Sequence, residues 1–100
     1  MKYNKLVRDK IPEHIESKGE RVIYHIANDL EYWNKLKEKL IEEAEEFKKE
    51  TSMDELADIL EVIDAVIDYK KYDKEEIRKI KEAKTQKRGG FGKRVILDES

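Results

Sequence analysis

The chain contains no cysteine, one proline, four glycines and one tryptophan in 100 residues. Without cysteine there can be no disulfide and no thiolate metal site. No run approaches the 18 or so apolar residues of a membrane span. No signal-peptide pattern opens the chain, so a cytoplasmic location is expected. Neither sign of charge dominates, with 22 Lys and Arg against 24 Asp and Glu. That balance removes any global pull toward a nucleic-acid polymer or a membrane surface. P-loop, G-x-G-x-x-G and nucleophile-elbow motifs are all missing. So are internal repeats, linkers and low-complexity segments. His14 and His25 stand alone without metal-ligand spacing, and surface or packing roles are expected for them.

What the chain has is charge. Charged residues make up 46% and hydrophobic residues 38%, against a usual charged share of about 25%. This composition suits amphipathic helices whose apolar stripes need a partner. One hundred residues form one domain, residues 1–100, with a small core. A homo-oligomer, a dimer or tetramer, is therefore expected, with helices completing a bundle between chains.

Local signals divide the chain into helices. Pro12 suits a first helical turn and predicts a short helix over about 9–18, ended by Gly19. Asn28 or Asp29 can cap a long helix running to about Lys49, with apolar residues Leu30, Trp33, Leu36, Leu40, Ala44 and Phe47 at helical spacing. Ser52 followed by Glu55 has the form of a capping box. It opens a helix over about 53–70, with Leu56, Ile59, Leu60, Ile63, Val66 and Ile67 on a broad apolar face. Asp73 caps a last helix, about 74–87, carrying Ile77, Ile80 and Ala83, and Gly89-Gly90 end it. Two β-rich runs, 21–26 and 94–98, are each too short to stand alone and are expected to pair. The expected fold is all-α, an antiparallel helical bundle with that hairpin-like pairing as its only β element.

Two acidic clusters fall on the central helices: Glu42-Glu43-Ala44-Glu45-Glu46 and Glu55-Leu56-Ala57-Asp58. Residues three apart on a helix are neighbours on one face, so Glu43 can meet Glu46 and Glu55 can meet Asp58. On a helical wheel at about 100° per residue, Glu43 lies at the edge of the apolar sector, where an acid is costly unless paired or metal-bound. Glu46 lies roughly 60° further out, Glu42 further still, and Glu45 faces solvent. On the following helix Glu55 flanks the apolar sector, but Glu61 and Asp64 form an equivalent pair on its other flank. Spacing does not choose between the two pairs. Glu-rich stretches are commonly no more than solvated faces.

Facing carboxylates suit a hard divalent cation, most simply Mg²⁺ with Mn²⁺ as a substitute. Such an ion binds one or two carboxylates together with substrate phosphates and can activate a bound water. A spare acid, Glu42 or Glu46, could orient that water. Lys5, Arg8 and Lys10 near the start, and Lys84, Lys87, Arg88 and Lys93 near the end, are candidate phosphate-binding cations. The 21–26/94–98 pairing would bring these ends together.

The pattern Glu42-Glu43-x-x-Glu46 … Glu55-x-x-Asp58 resembles the signature of the all-α nucleotide pyrophosphohydrolases. That superfamily includes the MazG-like proteins, dimeric dUTPases and phosphoribosyl-ATP pyrophosphohydrolase. The opening Tyr3-Asn4-Lys5-Leu6-Val7-Arg8-Asp9-Lys10-Ile11-Pro12 is similar to the start of a small phosphoribosyl-ATP pyrophosphohydrolase-like branch. So are residues 55–63 and Lys87-Arg88-Gly89-Gly90-Phe91, and the likeness spans nearly the whole chain. It implies an oligomeric helical bundle and Mg²⁺-dependent cleavage between the α- and β-phosphates, giving a monophosphate and pyrophosphate. By residue match, Glu43, Glu46, Glu55 and Asp58 would hold the metal, and Glu42 would be a ligand or the water-orienting base. The match favours Glu55/Asp58 over Glu61/Asp64. It departs from the MazG pattern in one respect: only eight residues, 47–54, separate Glu46 from Glu55, so the turn must be tight and the substrate pocket can differ. A non-catalytic helical interaction module and a nucleotide-binding regulator are the rival readings.

Overall fold

A computed structural model describes residues 3–100 of the chain. It contains four helices: α1 (Ile11–Ser17), α2 (Asp29–Lys49), α3 (Met53–Lys70) and α4 (Lys74–Arg88). No strand occurs among the described residues, so the fold is all-α.

The expected helix ends are made by the expected residues. Asn28 Oδ1 accepts the Glu31 backbone N–H at 2.9 Å. Ser52 Oγ accepts that of Glu55 at 3.2 Å. Asp73 Oδ1 accepts those of Glu75 and Glu76 at 2.8 and 3.2 Å. Each cap satisfies N–H groups that a helix start leaves without partners. Acids in the first turns and Lys48, Lys49, Lys70, Lys87 and Arg88 in the last turns complement the helix dipoles. α3 ends in a Schellman turn. Tyr72 N donates to Ile67 O, Lys71 N donates to Asp68 O, and Lys71 adopts the left-handed φ of 56°.

α2 and α3 form an antiparallel hairpin across a turn of only Glu50, Thr51 and Ser52, and theirs is the extensive helix-to-helix packing in the chain. Three zones follow one another along it. At the open end Trp33 stacks on Tyr69, with ring centres 5.3 Å apart and planes at 11°. Tyr32 meets the same ring edge-on, and the Tyr69 hydroxyl donates to Asp29 O at 3.2 Å. Trp33 is thus a packing residue, in phase with the core. In the middle lie Leu36 and Val62, 1% and 8% exposed, the only buried hydrophobic side chains among the described residues. At the turn end the apolar contact gives way to carboxylates.

Two expectations need correction. The face of α3 that meets α2 is centred on Val62 with half-buried Ile59 and Val66, whereas Leu56 and Leu60 of the expected stripe are exposed. α3 is apolar around so much of its circumference that its periodicity cannot say which part packs within the chain. The pairing of 21–26 with 94–98 is also absent. Both runs are irregular, and apart from half-buried Val22 they are exposed. His25 Nε2 pairs with Glu31 Oε1 at 2.8 Å, which ties the first run to the start of α2. Arg94, at φ 58°, breaks the second where it begins. Two short strands without a third are marginal, and α4 leads the tail away from the hairpin.

Candidate metal centre

The carboxylate zone is built by the turn between α2 and α3. Because Glu50–Ser52 is so short, the last turns of α2 lie beside the first turns of α3. Glu43 is then opposite Glu55 and Asp58. One carboxylate oxygen from each of these three half-buried residues lies within 4.8 Å of the others. Two oxygens bound to one Mg²⁺ at about 2.1 Å stand roughly 3 Å apart when adjacent and about 4.2 Å apart when opposite. The observed spread needs only small side-chain rotations to reach that range. The donors are all hard carboxylate oxygens, the set preferred by Mg²⁺ and Mn²⁺, so the residues fit such an ion.

Glu55 shows the electrostatic cost of the arrangement. Partial burial, then the negative charges of Asp58, Glu43, Glu46 and Glu50, push its carboxyl above the ordinary carboxylate range. Its backbone N–H completes one half of the capping box at Ser52. The carboxylate makes no hydrogen bond back to Ser52 and belongs instead to the acid cluster.

Three cations sit against the acids. Lys5 Nζ donates to Glu42 Oε1 at 2.9 Å, and Arg8 donates to Asp58 Oδ1 at 2.7 Å. Lys39 Nζ lies 3.3 Å from Glu43 and 3.5 Å from Glu42. The hydrogen bond and charge of Lys5 hold the Glu42 carboxyl below its ordinary value, and Glu42 raises the Lys5 ammonium in return. The segment before α1 is thus drawn across the carboxylates, aided by Lys35 Nζ donating to Asn4 O at 2.9 Å. Three cations do not cancel the five carboxylates of Glu42, Glu43, Glu46, Glu55 and Asp58.

The other sequence candidates are placed as follows. Glu42 is beside the cluster and paired to Lys5. Glu46 is exposed and outside the three-oxygen group, although its charge reaches Glu55. Glu61 and Asp64 are exposed and take no part in it. Lys10 is exposed at the start of α1. Lys84, Lys87 and Arg88 lie on α4, which does not pack extensively on the hairpin, so this chain alone does not bring them to the acids. Lys39 was missed by the sequence reading. Its signal was available, since it stands three and four residues before Glu42 and Glu43 on one helix.

Comparison of the chain with protein-family models, with curated proteins and with solved structures finds no match.

Proposed function

We propose that this protein is a Mg²⁺-dependent nucleotide pyrophosphohydrolase of the MazG-like all-α class, acting in the cytoplasm. It would cleave the α–β phosphoanhydride of a nucleoside triphosphate or a phosphoribosyl-ATP-like substrate to a monophosphate and pyrophosphate. The observation that carries the reading is the convergence of Glu43, Glu55 and Asp58 from two helices to within 4.8 Å. The resemblance of the acidic signature and of both end motifs supplies the reaction class.

In this reading Glu43, Glu55 and Asp58 hold the metal, with Glu46 one helical turn from Glu43 as the further ligand. The bound ion supplies neutralisation of phosphoryl charge and a more acidic water. Lys5 and Arg8 bind substrate phosphate. Both already lie on carboxylates of the cluster, and both pairs are substantially exposed. Exposed pairs contribute about 0–1 kcal/mol, so the two cations can change partner at little cost. Glu42 orients the attacking water. The depression of its pKa by Lys5 keeps it ionised, and also makes it a weak base until Lys5 moves to substrate.

The test is pyrophosphate release across standard and modified nucleoside triphosphates and phosphoribosyl-ATP, with Mg²⁺ or Mn²⁺. Release that requires the metal is expected. Glu43→Gln should lower it by on the order of 100-fold or more, since even residues behind metal ligands cost about 10–100-fold. No pyrophosphate from any of these substrates would sink the reading. A second reading is favoured by the Arg8–Asp58 and Lys5–Glu42 pairs themselves. They suit a non-catalytic helical module whose acids only solvate its faces, with Glu42 and Asp58 serving as surface ion-pair partners. That module predicts no shift of melting temperature with Mg²⁺. A nucleotide-binding regulator predicts Mg²⁺-nucleotide binding without product.

A further inference from the structure

Residues 3–10 belong to no helix, and what positions them is a set of long-range polar contacts. Lys5 reaches Glu42 on α2, and Arg8 reaches Asp58 on α3. Lys35 of α2 donates to the carbonyl of Asn4. Asn4 itself sits in the left-handed region at φ 45°, a conformation in which Asn is enriched over most side chains. Lys5 and Arg8 are three residues apart. A chain near full extension covers roughly 10 Å in that distance, which is about the separation of two packed helix axes. The segment is a strap laid across the hairpin, with one cation for each helix.

Charge holds the strap in place. Within residues 3–10 only Leu6 is even half-buried, so little apolar burial clamps the segment. Exposed ion pairs are weak and are screened by salt, and the Arg8 and Asp58 side chains are 57% and 38% exposed. The partners of the strap are also the groups a cation would take. Asp58 is one of the three residues whose carboxylate oxygens converge, and Glu42 stands beside them. A guanidinium on Asp58 and a divalent ion among Glu43, Glu55 and Asp58 draw on the same carboxylate charge and repel each other. The divalent ion has twice the charge and meets three carboxylates, where Arg8 meets one. The contact of Lys35 with Asn4 uses no acid of the cluster, so that anchor is untouched by the exchange.

We infer that residues 3–10 are a cation-displaced strap, closed over the acid cluster while no divalent ion is bound and released at Arg8 when one binds, with the Asn4–Lys35 contact as the anchor that stays. The inference rests on the metal reading of this site and adds an order to it. The ion binds first, and the arginine it displaces is then free for substrate phosphate.

The test combines titration calorimetry of the full chain with Mn²⁺ and limited trypsin digestion of the same samples, with Mn²⁺ or with EDTA, read by mass spectrometry. Trypsin cuts after arginine and lysine, and an Arg8 held on Asp58 is shielded from it. Mn²⁺ should speed cleavage after Arg8 by about 3–10-fold, since such cleavage follows the population of the open form. Cleavage after Lys87 and Arg88, at the end of α4, is the internal reference and should not rise. Arg8→Gln should bind Mn²⁺ about 3–10-fold more tightly than wild type, because a site closed about nine-tenths of the time loses roughly tenfold in apparent affinity. Lys48→Gln removes a charge from the last turn of α2 and leaves the three contacts of the strap in place, so it should tighten binding less. Mn²⁺ binding with unchanged cleavage after Arg8, or equal tightening by the two substitutions, overturns the strap and leaves the metal reading standing. Absence of Mn²⁺ binding in both wild type and Arg8→Gln overturns the two together.

Discussion

The α2–α3 hairpin and α4 are both amphipathic, but among the described residues only the hairpin packs extensively on a complement. Along α2 and α3 every zone has a counterpart: ring against ring, Leu36 and Val62 in the middle, acids at the turn. α4 is capped as well as either of them, yet no residue of it is buried. Local sequence is therefore enough to make a helix and not enough to place it. A cap and a dipole-matched charge pattern stabilise α4 by local terms alone. Its apolar residues Ile77 and Ile80 stay exposed, so nothing in the described chain fixes its rotation.

The strongest way to break this contrast is to truncate one side chain on each side of it. Leu36→Ala should cost about 2–5 kcal/mol, the range for a buried leucine, and should largely unfold so small a core. Ile80→Ala, at an exposed position of α4, should leave the hairpin intact. Urea titration of both variants separates the two effects, and equal losses of stability would erase the distinction.

A second contrast lies inside the hairpin, between its dry end and its acid end. With EDTA present, Glu55→Gln should melt higher than wild type at neutral pH. The folded-state pKa of Glu55 is raised, so its ionised form penalises the fold. That penalty is complete above the raised pKa and fades as pH falls toward the ordinary value near 4.5. The advantage of the variant should shrink on acidification. Mg²⁺ should raise the melting temperature of wild type and leave Glu55→Gln nearly unmoved. A substitution that destabilises at neutral pH, or an unchanged Mg²⁺ response, would show that these acids are ordinary surface groups.

Smaller effects sharpen the picture. Asp73→Ala and Ser52→Ala each remove an N-cap worth about 1 kcal/mol. The Ser52 loss should appear in the global denaturation midpoint. The Asp73 loss should appear mainly as faster amide exchange at the start of α4. Smallest of all is Lys5→Ala. It removes an exposed pair worth less than about 1 kcal/mol. The lowered pKa of Glu42 means that its contribution is present above the ordinary value near 4.5 and lost as pH falls through the depressed one. The two melting curves should therefore merge in acid.

The helices were legible because their signals are local. Asn28, Ser52 and Asp73 each sit immediately before an apolar or charged helical pattern, and each acts within three residues of itself. The candidate ligands were half legible. Carboxylate spacing pointed to Glu43, but it left Glu55/Asp58 level with Glu61/Asp64. That choice depends on which side of α3 faces α2. The two β-rich runs misled because β propensity expresses packing against a neighbouring strand, and neither run has one among the described residues: the first is held by His25–Glu31 and the second follows α4.

By itself, then, the sequence determined four helices, three of them opened by N-cap side chains, a three-residue turn between the two longest, and two acidic clusters on them. Only the tertiary structure decided that Val62 and not Leu60 meets α2, that Glu43 faces Glu55 and Asp58 within 4.8 Å, and that Lys5 and Arg8 reach the acids while Lys84, Lys87 and Arg88 do not. The physical reason is range. Caps and periodicity act over one or two helical turns. The rotation of a helix that is apolar on two sides is set by the partner it buries against.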